Sequence, residues 1–188
     1  VETWKLYFNQ HAIEEISGET FAGAAKTAFK INEYDLALSW FDQARYKNYS
    51  DAKMYSTLAS IFKSQRNISR ELSPLEFYTQ NFFKNDTIVN NRLFEIYSEI
   101  KSYDKALLVW EHLDENSKNK LSLLEAYFLI NKTLENINQC DSLSLVILEK
   151  NPKQVEALKW NAKKYYWLGQ NRYDAEMEKY NKNKTARQ

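Results

Sequence analysis

Turn-forming residues are scarce in this chain, which holds three glycines and two prolines among 188 residues, where average usage would supply about 7% and about 5%. Sandwiches, barrels and doubly wound sheets need many tight turns, and glycine and proline make most of them. Their shortage excludes those classes and leaves an all-helical fold. The one cysteine, Cys140, rules out an intrachain disulfide and any multi-cysteine metal centre. No apolar run reaches the ~20 residues that span a bilayer, so no membrane insertion is expected. Val1-Glu2-Thr3-Trp4-Lys5 does not follow the basic-then-apolar plan of a signal peptide. Because the chain does not begin with methionine, a leader removed from a longer precursor is compatible with it. The expected location is cytoplasmic or, after such removal, the periplasm or envelope of a bacterium. One-sided charge is missing as well: 26 Lys and Arg face 25 Asp and Glu, a net charge of +1. No overall field gathers nucleic acid or an anionic membrane.

Catalytic strings are also missing. No Walker loop, GxGxxG, GxSxG or HExxH occurs. His11 and His112 lie far apart without a neighbouring nucleophile, and sequential carboxylates such as Glu14-Glu15 diverge around a helix. The expectation is therefore no enzyme, no cofactor and no metal.

The apolar residues that are present follow a helical period. Trp4, Leu6, Tyr7, Phe8, Ala12, Ile13 and Ile16 predict a leading helix over residues 2 to 16, ended by Ser17-Gly18 with Gly18 as a left-handed cap. Phe21, Ala24, Ala25 and Ala28 form the stripe of a second helix. Asn32-Glu33 makes a turn, and Tyr34, Ala37, Phe41 and Ala44 form the stripe of a third. Small residues admit a neighbouring backbone and large ones fill the space between, so the two helices interlock antiparallel. The arrangement recurs over residues 90 to 113, with Asn90, Leu93, Phe94 and Tyr97 followed by Tyr103, Ala106, Trp110 and Leu113. Tyr103 falls 69 residues after Tyr34, about two periods of 34; Ala106 to Cys140, Tyr103 to Ile137 and Lys118 to Pro152 are each 34 apart. A fixed period of this length marks an array of helical hairpins.

Position for position, these residues resemble the tetratricopeptide repeat (TPR) family. The places of its pattern are held by Phe21, Ala25, Ala28, Ala37, Phe41 and Ala44; by Asn90, Phe94, Tyr97, Ala106, Trp110 and Leu113; and by Leu124, Phe128, Asn131, Cys140, Ser144, Ile147 and Pro152. Phe94 and Phe128 stand where the family has a small residue, Asn131 and Ser144 where it has an aromatic. The resemblance implies an all-α, right-handed α-α superhelix of four to five antiparallel helix pairs. Residues 1 to 17 would lead into units at about 18–51, 52–86, 87–120, 121–154 and 155–188. Residues 65 to 72 read as an extended loop, with Ser73-Pro74 opening the next helix. Residues 114 to 120 read as a polar linker, and Gly169-Gln170 as the turn of the fifth unit. Cys140, at a small position, is a buried space-filler. The last apolar side chains, Met177 and Tyr180, point to a chain that continues past Gln188.

In function the resemblance implies a non-catalytic scaffold that binds a peptide or protein in a concave groove. In the family that groove is lined by the second, fifth, ninth, twelfth and thirteenth positions of the first helix of each pair. Here the first unit supplies Glu19, Ala22, Lys26, Phe29 and Lys30, and the second Lys53, Ser56, Ser60, Lys63 and Ser64. The third supplies Ile88, Asn91, Glu95, Ser98 and Glu99, the fourth Ser122, Glu125, Leu129, Lys132 and Thr133, and the fifth Glu156, Lys159, Lys163, Tyr166 and Trp167. The candidate partner-binding residues are Lys26, Phe29, Lys30, Lys53, Lys63, Asn91, Glu95, Glu99, Lys132, Lys159, Lys163, Tyr166 and Trp167. The family's clamp for chaperone tails needs lysine then asparagine in the first unit, and Ala22 and Lys26 stand there instead.

Two alternatives come from the C-terminal part. Tyr165-Tyr166-Trp167 cannot all point inward on one helix; the aromatic left over is covered by the next helix of a longer chain or is a ligand hot spot, which would stack on a glycan or nutrient in an envelope accessory protein. Residues 150 to 188 hold ten Lys or Arg against four Asp or Glu, a balance suited to RNA or single-stranded DNA; against it, no nucleic-acid motif occurs. Five Asn-x-Ser/Thr strings, starting at Asn48, Asn67, Asn85, Asn131 and Asn183, matter only in a eukaryotic secreted protein. The Lys, Asn and Ile richness fits an AT-rich bacterial genome.

Overall fold

Helices account for all the regular structure of the described residues, 1 to 185, with side chains described through residue 179, in this computed structural model. Tyr180 and the cations that follow it in the C-terminal basic segment lie outside the described side chains. The chain divides into two compact units, Val1–Leu113 and Asp114–Gln188.

The first unit holds α1 (Glu2–Gln10), a 3-10 turn (Ile13–Glu15), α2 (Gly18–Lys30), α3 (Tyr34–Tyr46), α4 (Ala52–Ser64), α5 (Ile68–Asn81), α6 (Thr87–Glu99) and α7 (Tyr103–His112). Helices α2 and α3, α4 and α5, and α6 and α7 pack as pairs; α2 also meets α4, and α5 meets α6. The small positions of the stripes let these backbones approach, since Ala24, Ala25, Ala28, Ala37, Ala44 and Ala106 are fully buried. Phe41 and Phe94 fill the space they leave. Phe94 is accommodated where a small residue was expected because Trp110 tilts against it, with ring centroids 5.1 Å apart.

In this unit the first helix of each pair starts on a side-chain cap. Ser17 accepts from Thr20 N–H at 3.1 Å, Asp51 from Met54 N–H at 2.5 Å, and Asp86 from Ile88 and Val89 N–H at 3.0 and 3.1 Å. Each also ends alike. Glu33 N–H donates to Ala28 O, Asn67 to Phe62 and Ser102 to Tyr97, each after one residue of positive φ: Asn32 (62°), Arg66 (53°) and Lys101 (60°). Glu135 (59°) does the same in the second unit, where Asn136 N–H donates to Asn131 O. This is a Schellman closure, and its left-handed residue recurs every 34 or 35 positions, so the repeat is written in the backbone as well as in the stripes. Asparagine tolerates that conformation, but arginine, lysine and glutamate do so at a cost of about 1 kcal/mol. Lys101→Gly is expected to raise the unfolding free energy by about 0.5–1 kcal/mol in chemical denaturation, and Asn32→Gly to leave it nearly unchanged.

Three expectations fail in this unit. The leading helix stops at Gln10 rather than Ile16. Among its apolar side chains Phe8 makes ring contacts with the first pair, stacking on Phe21 at 4.8 Å and meeting Trp40 edge-on at 5.2 Å, whereas Leu6 and Tyr7 are exposed and add little to hold a longer helix down. Gly18 is not a left-handed cap but the first residue of α2, capped by Ser17. What the site requires is space, because a β-carbon there would lie 2.4 Å from Cβ of Tyr49. Residues 65 to 72 are not an extended loop, because Asn67 accepts from Arg70 N–H at 3.2 Å and opens α5 at Ile68. Pro74 therefore sits inside a helix, where it removes one ladder hydrogen bond. Burial of Pro74 and Leu75 offsets that loss.

The second unit holds a single turn, α8 (Glu115–Lys118), within the stretch read as linker, then α9 (Leu121–Thr133), α10 (Ile137–Lys150) and α11 (Val155–Thr185). Helix α10 packs against both α9 and α11. Phe128 is fully buried and meets Trp160 edge-on at 6.1 Å. Asn131 and Ser144, at expected aromatic positions, are buried and satisfied: Asn131 donates to Tyr127 O at 2.8 Å, and Ser144 Oγ lies 3.0 Å from Asn161 Oδ1. Cys140 is a buried space-filler, and burial pushes its thiol pKa up. No turn forms at Gly169-Gln170, and α11 runs through it. Gly169 has no positive φ and nothing within 4 Å of where a β-carbon would be. A single helical glycine costs about 1 kcal/mol, too little to break a helix flanked by good helix formers when no returning helix packs on it.

Candidate functional site

In the first unit the expected groove residues have unequal fates. Ala22 is 0% exposed and lines nothing. Lys26 Nζ donates to Asp51 Oδ2 at 2.7 Å, and the same oxygen accepts from Tyr49 OH at 2.7 Å. Burial disfavours the charge on Asp51, but the hydrogen bonds from Lys26, Tyr49 and Met54 N–H outweigh it and hold the carboxyl below its usual range. The same bond to Asp51 pushes the Tyr49 phenol up to about 12. Lys26 is thus a brace between α2 and the start of α4, not a free groove cation. Phe29 is half-buried against Tyr34, with centroids 6.1 Å apart. Asn91 is only 9% exposed, and its Oδ1 is enclosed without a partner. Glu95 accepts from Arg92 at 3.0 Å, while Glu99 is exposed.

Lys30, Lys53 and Lys63 are exposed, and among the described residues none of the three is in an ion pair. Lys30 lies one turn past Lys26 on α2, and Lys53 and Lys63 lie ten residues apart on α4, the helix that α2 packs against.

The sequence reading missed the strongest charge pair. Arg92 on α6 donates through Nε and Nη2 to both oxygens of Glu71 on α5, at 2.7 and 2.8 Å, and Glu71 is 1% exposed. These bonds raise the guanidinium pKa further above its ordinary value. The spacing of Arg92 and Glu95 was visible, but Glu71 lay in residues read as a loop. Glu76 on α5 accepts from Tyr97 OH at 2.5 Å and Lys105 Nζ at 2.9 Å, tying α5 to α6 and α7. His11 and His112 are exposed, each with Nδ1 against the carbonyl four residues earlier, at 2.9 and 2.8 Å.

In the second unit Lys132 and Lys159 both close on Glu156, at 2.5 and 3.0 Å, so neither is a free cation. Asp141 on α10 accepts from Lys164 Nζ at 2.7 Å and Trp160 Nε1 at 2.8 Å, and the Lys164 bond first of all holds its carboxyl below the usual range. Tyr165, Tyr166 and Trp167 are all exposed. Lys163 and Trp167 come together with Trp160, Leu168 and Ile137 around a groove of 440 Å³ between α10 and α11, whereas Tyr166 does not line it.

No family model matches the chain, and no curated protein matches it in sequence. In structure the chain is similar to the crystal structure of YrrB, a TPR protein with an unusual peptide-binding site. The TM-score is 0.56 at 16% identity, covering 78% of this chain and 74% of that one. The fold is TPR-like. Its pairs are α2/α3, α4/α5, α6/α7 and α9/α10, four within the expected four to five, with α11 as a long single helix. Among the described residues no helix is long and apolar enough to cross a membrane.

Proposed function

We propose that this chain is a non-catalytic interaction scaffold that binds an extended peptide or protein segment along the face formed by α2 and α4. The observation that carries the reading is the set of exposed lysines Lys30, Lys53 and Lys63 on α2 and α4, in no ion pair among the described residues, where the nearby Lys26 is spent on Asp51. A ligand carboxylate meets charges there that no internal partner neutralises. The TPR-like fold supports it, and YrrB, by description, has a peptide-binding site. Lys26, Asn91, Glu95, Lys132 and Lys159 serve structure.

The test is a selection of extended peptides from a random display library on the full 188-residue chain, followed by fluorescence-polarisation titration of the enriched sequences. Enriched peptides are expected to be acidic and to bind at least tenfold more weakly to a Lys30→Glu/Lys53→Glu/Lys63→Glu variant, because reversing three contact charges replaces attraction with repulsion. Affinity unchanged by the triple reversal would sink the reading.

A further inference from the structure

The groove between α10 and α11 is a second surface, apart from the lysine set of the first unit. Helix α11 outruns α10. Its 31 residues span about 46 Å against about 21 Å for the 14 residues of α10, and the groove lies where α10 begins and α11 continues. Trp160, Lys164, Trp167, Leu168 and Asn171 recur along α11 at heptad-like spacing, so one face of α11 presents a continuous stripe. Trp167 and Leu168 are 56% and 54% exposed; other apolar side chains of α11, Tyr165 and Tyr166 among them, are exposed too, but these two line the groove.

The chemistry around the stripe selects its occupant. The floor is made of two indoles, Leu168 and Ile137, and the one carboxylate in the groove, Asp141, is already committed to Trp160 and Lys164. A glycan could stack on the indoles, but its many hydroxyls would find only Lys163 and Asn171 uncommitted among the polar lining side chains. Residues 157 to 173 hold four cations, Lys159, Lys163, Lys164 and Arg172, and no acid. Lys159 and Lys164 are spent on Glu156 and Asp141. Lys163, which lines the groove, and Arg172, one turn past Leu168, make no ion pair among the described residues. Two free cations beside an apolar stripe are too few to track a phosphate backbone, but they complement an amphipathic helix that carries Asp or Glu beside its apolar face.

We propose that the α10–α11 groove docks an acidic amphipathic helix of a partner protein, whose apolar side chains at i, i+3 or i+4, and i+7 pack on Trp160, Trp167 and Leu168 while its flanking carboxylates meet Lys163 and Arg172. Trp167 is the anchor, as a half-exposed indole at the centre of an apolar groove is the kind of residue that dominates docking energy.

The test is a display library of helical peptides with fixed leucines at i, i+3, i+4 and i+7 and flanking positions randomised among Asp, Glu, Lys, Arg, Ser and Gln, selected on the full chain. Enriched peptides are expected to carry net negative flanks, to bind at least tenfold more weakly to Trp167→Ala, to bind about threefold more weakly to Lys163→Gln, and to be indifferent to the Lys30/Lys53/Lys63 reversal. Far-UV circular dichroism checks that Trp167→Ala keeps its helix content, as its exposure implies. A poly-uridine oligonucleotide and a uronic-acid oligosaccharide are titrated in parallel. No enrichment, basic or charge-neutral flanks, binding that survives Trp167→Ala, or Trp167-dependent binding of the oligonucleotide or oligosaccharide alone would overturn the proposal. Because the lysine set and this groove are probed by separate variants, failure of one surface is distinguishable from failure of the other.

Discussion

Arg92→Met is expected to lower the unfolding free energy by roughly 3 kcal/mol, and Glu71→Met/Arg92→Met to recover most of that loss. The carboxylate of Glu71 is almost wholly enclosed, and its two oxygens are met by one guanidinium at 2.7 and 2.8 Å. Desolvating a charge costs several kcal/mol, offset here by geometry that a planar fork alone supplies. Removing the arginine leaves the cost without the compensation, the situation in which single removals reach 3–5 kcal/mol. The lower figure is appropriate because the Arg92 side chain keeps 22% of its exposure and water reaches the site. Replacing both partners by apolar groups removes cost and compensation together. Equilibrium denaturation read by circular dichroism checks this: the midpoint should fall for the single variant and return for the double at nearly constant m-value. A single variant as stable as the parent would mean that Glu71 is solvated, contrary to its burial.

Ala106→Asp should abolish the cooperative melting of the first unit. Ala106 is 0% exposed at the face where α7 meets α6, so the new carboxylate has neither water nor a cation, and its volume has no cavity to enter. Both effects oppose folding by several kcal/mol, comparable with the whole stability of a small unit. Ala37→Asp, equally buried between α3 and α2, should behave alike. Ala162→Asp, on an exposed turn of α11, should melt like the parent. Differential scanning calorimetry of the three separates a core position from a surface one. A parent-like transition for Ala106→Asp would place the packing face of α7 elsewhere.

The repeat itself was legible in the residues. Alternation of alanine with phenylalanine at helical spacing, and a period of 34, are local and periodic signals, and they led to the pairs α2/α3, α6/α7 and α9/α10. Where the reading failed, it took one residue as a signpost. Gly18 looked like a terminator because glycine tolerates left-handed backbone, yet its role is the close approach of Tyr49. Pro74 looked like a first helical position, yet Asn67 had already started the helix and burial holds the proline inside it. Gly169 looked like a turn, but a turn needs a returning helix to pack, and a local sequence cannot say whether one does. The Schellman positions Arg66, Lys101 and Glu135 carried no signal at all, since none is a residue that favours the conformation it adopts.

The candidate binding residues were read less well, for a reason of distance. A helical stripe states which side of a helix faces inward, but not which charge from another helix stands opposite an outward lysine. Lys26 and Asp51 are 25 residues apart, Arg92 and Glu71 21, Lys132 and Glu156 24. From the residue order alone followed the class of the fold, the hairpin period and the identity of the inner faces, because these depend on spacing within a helix or between neighbours in the chain. Only the packed structure decided which lysines are tied down and which remain free, and that α11 leaves Trp167 in water. Whether a charge is spent depends on a carboxylate brought within about 3 Å by the stacking of separate helices.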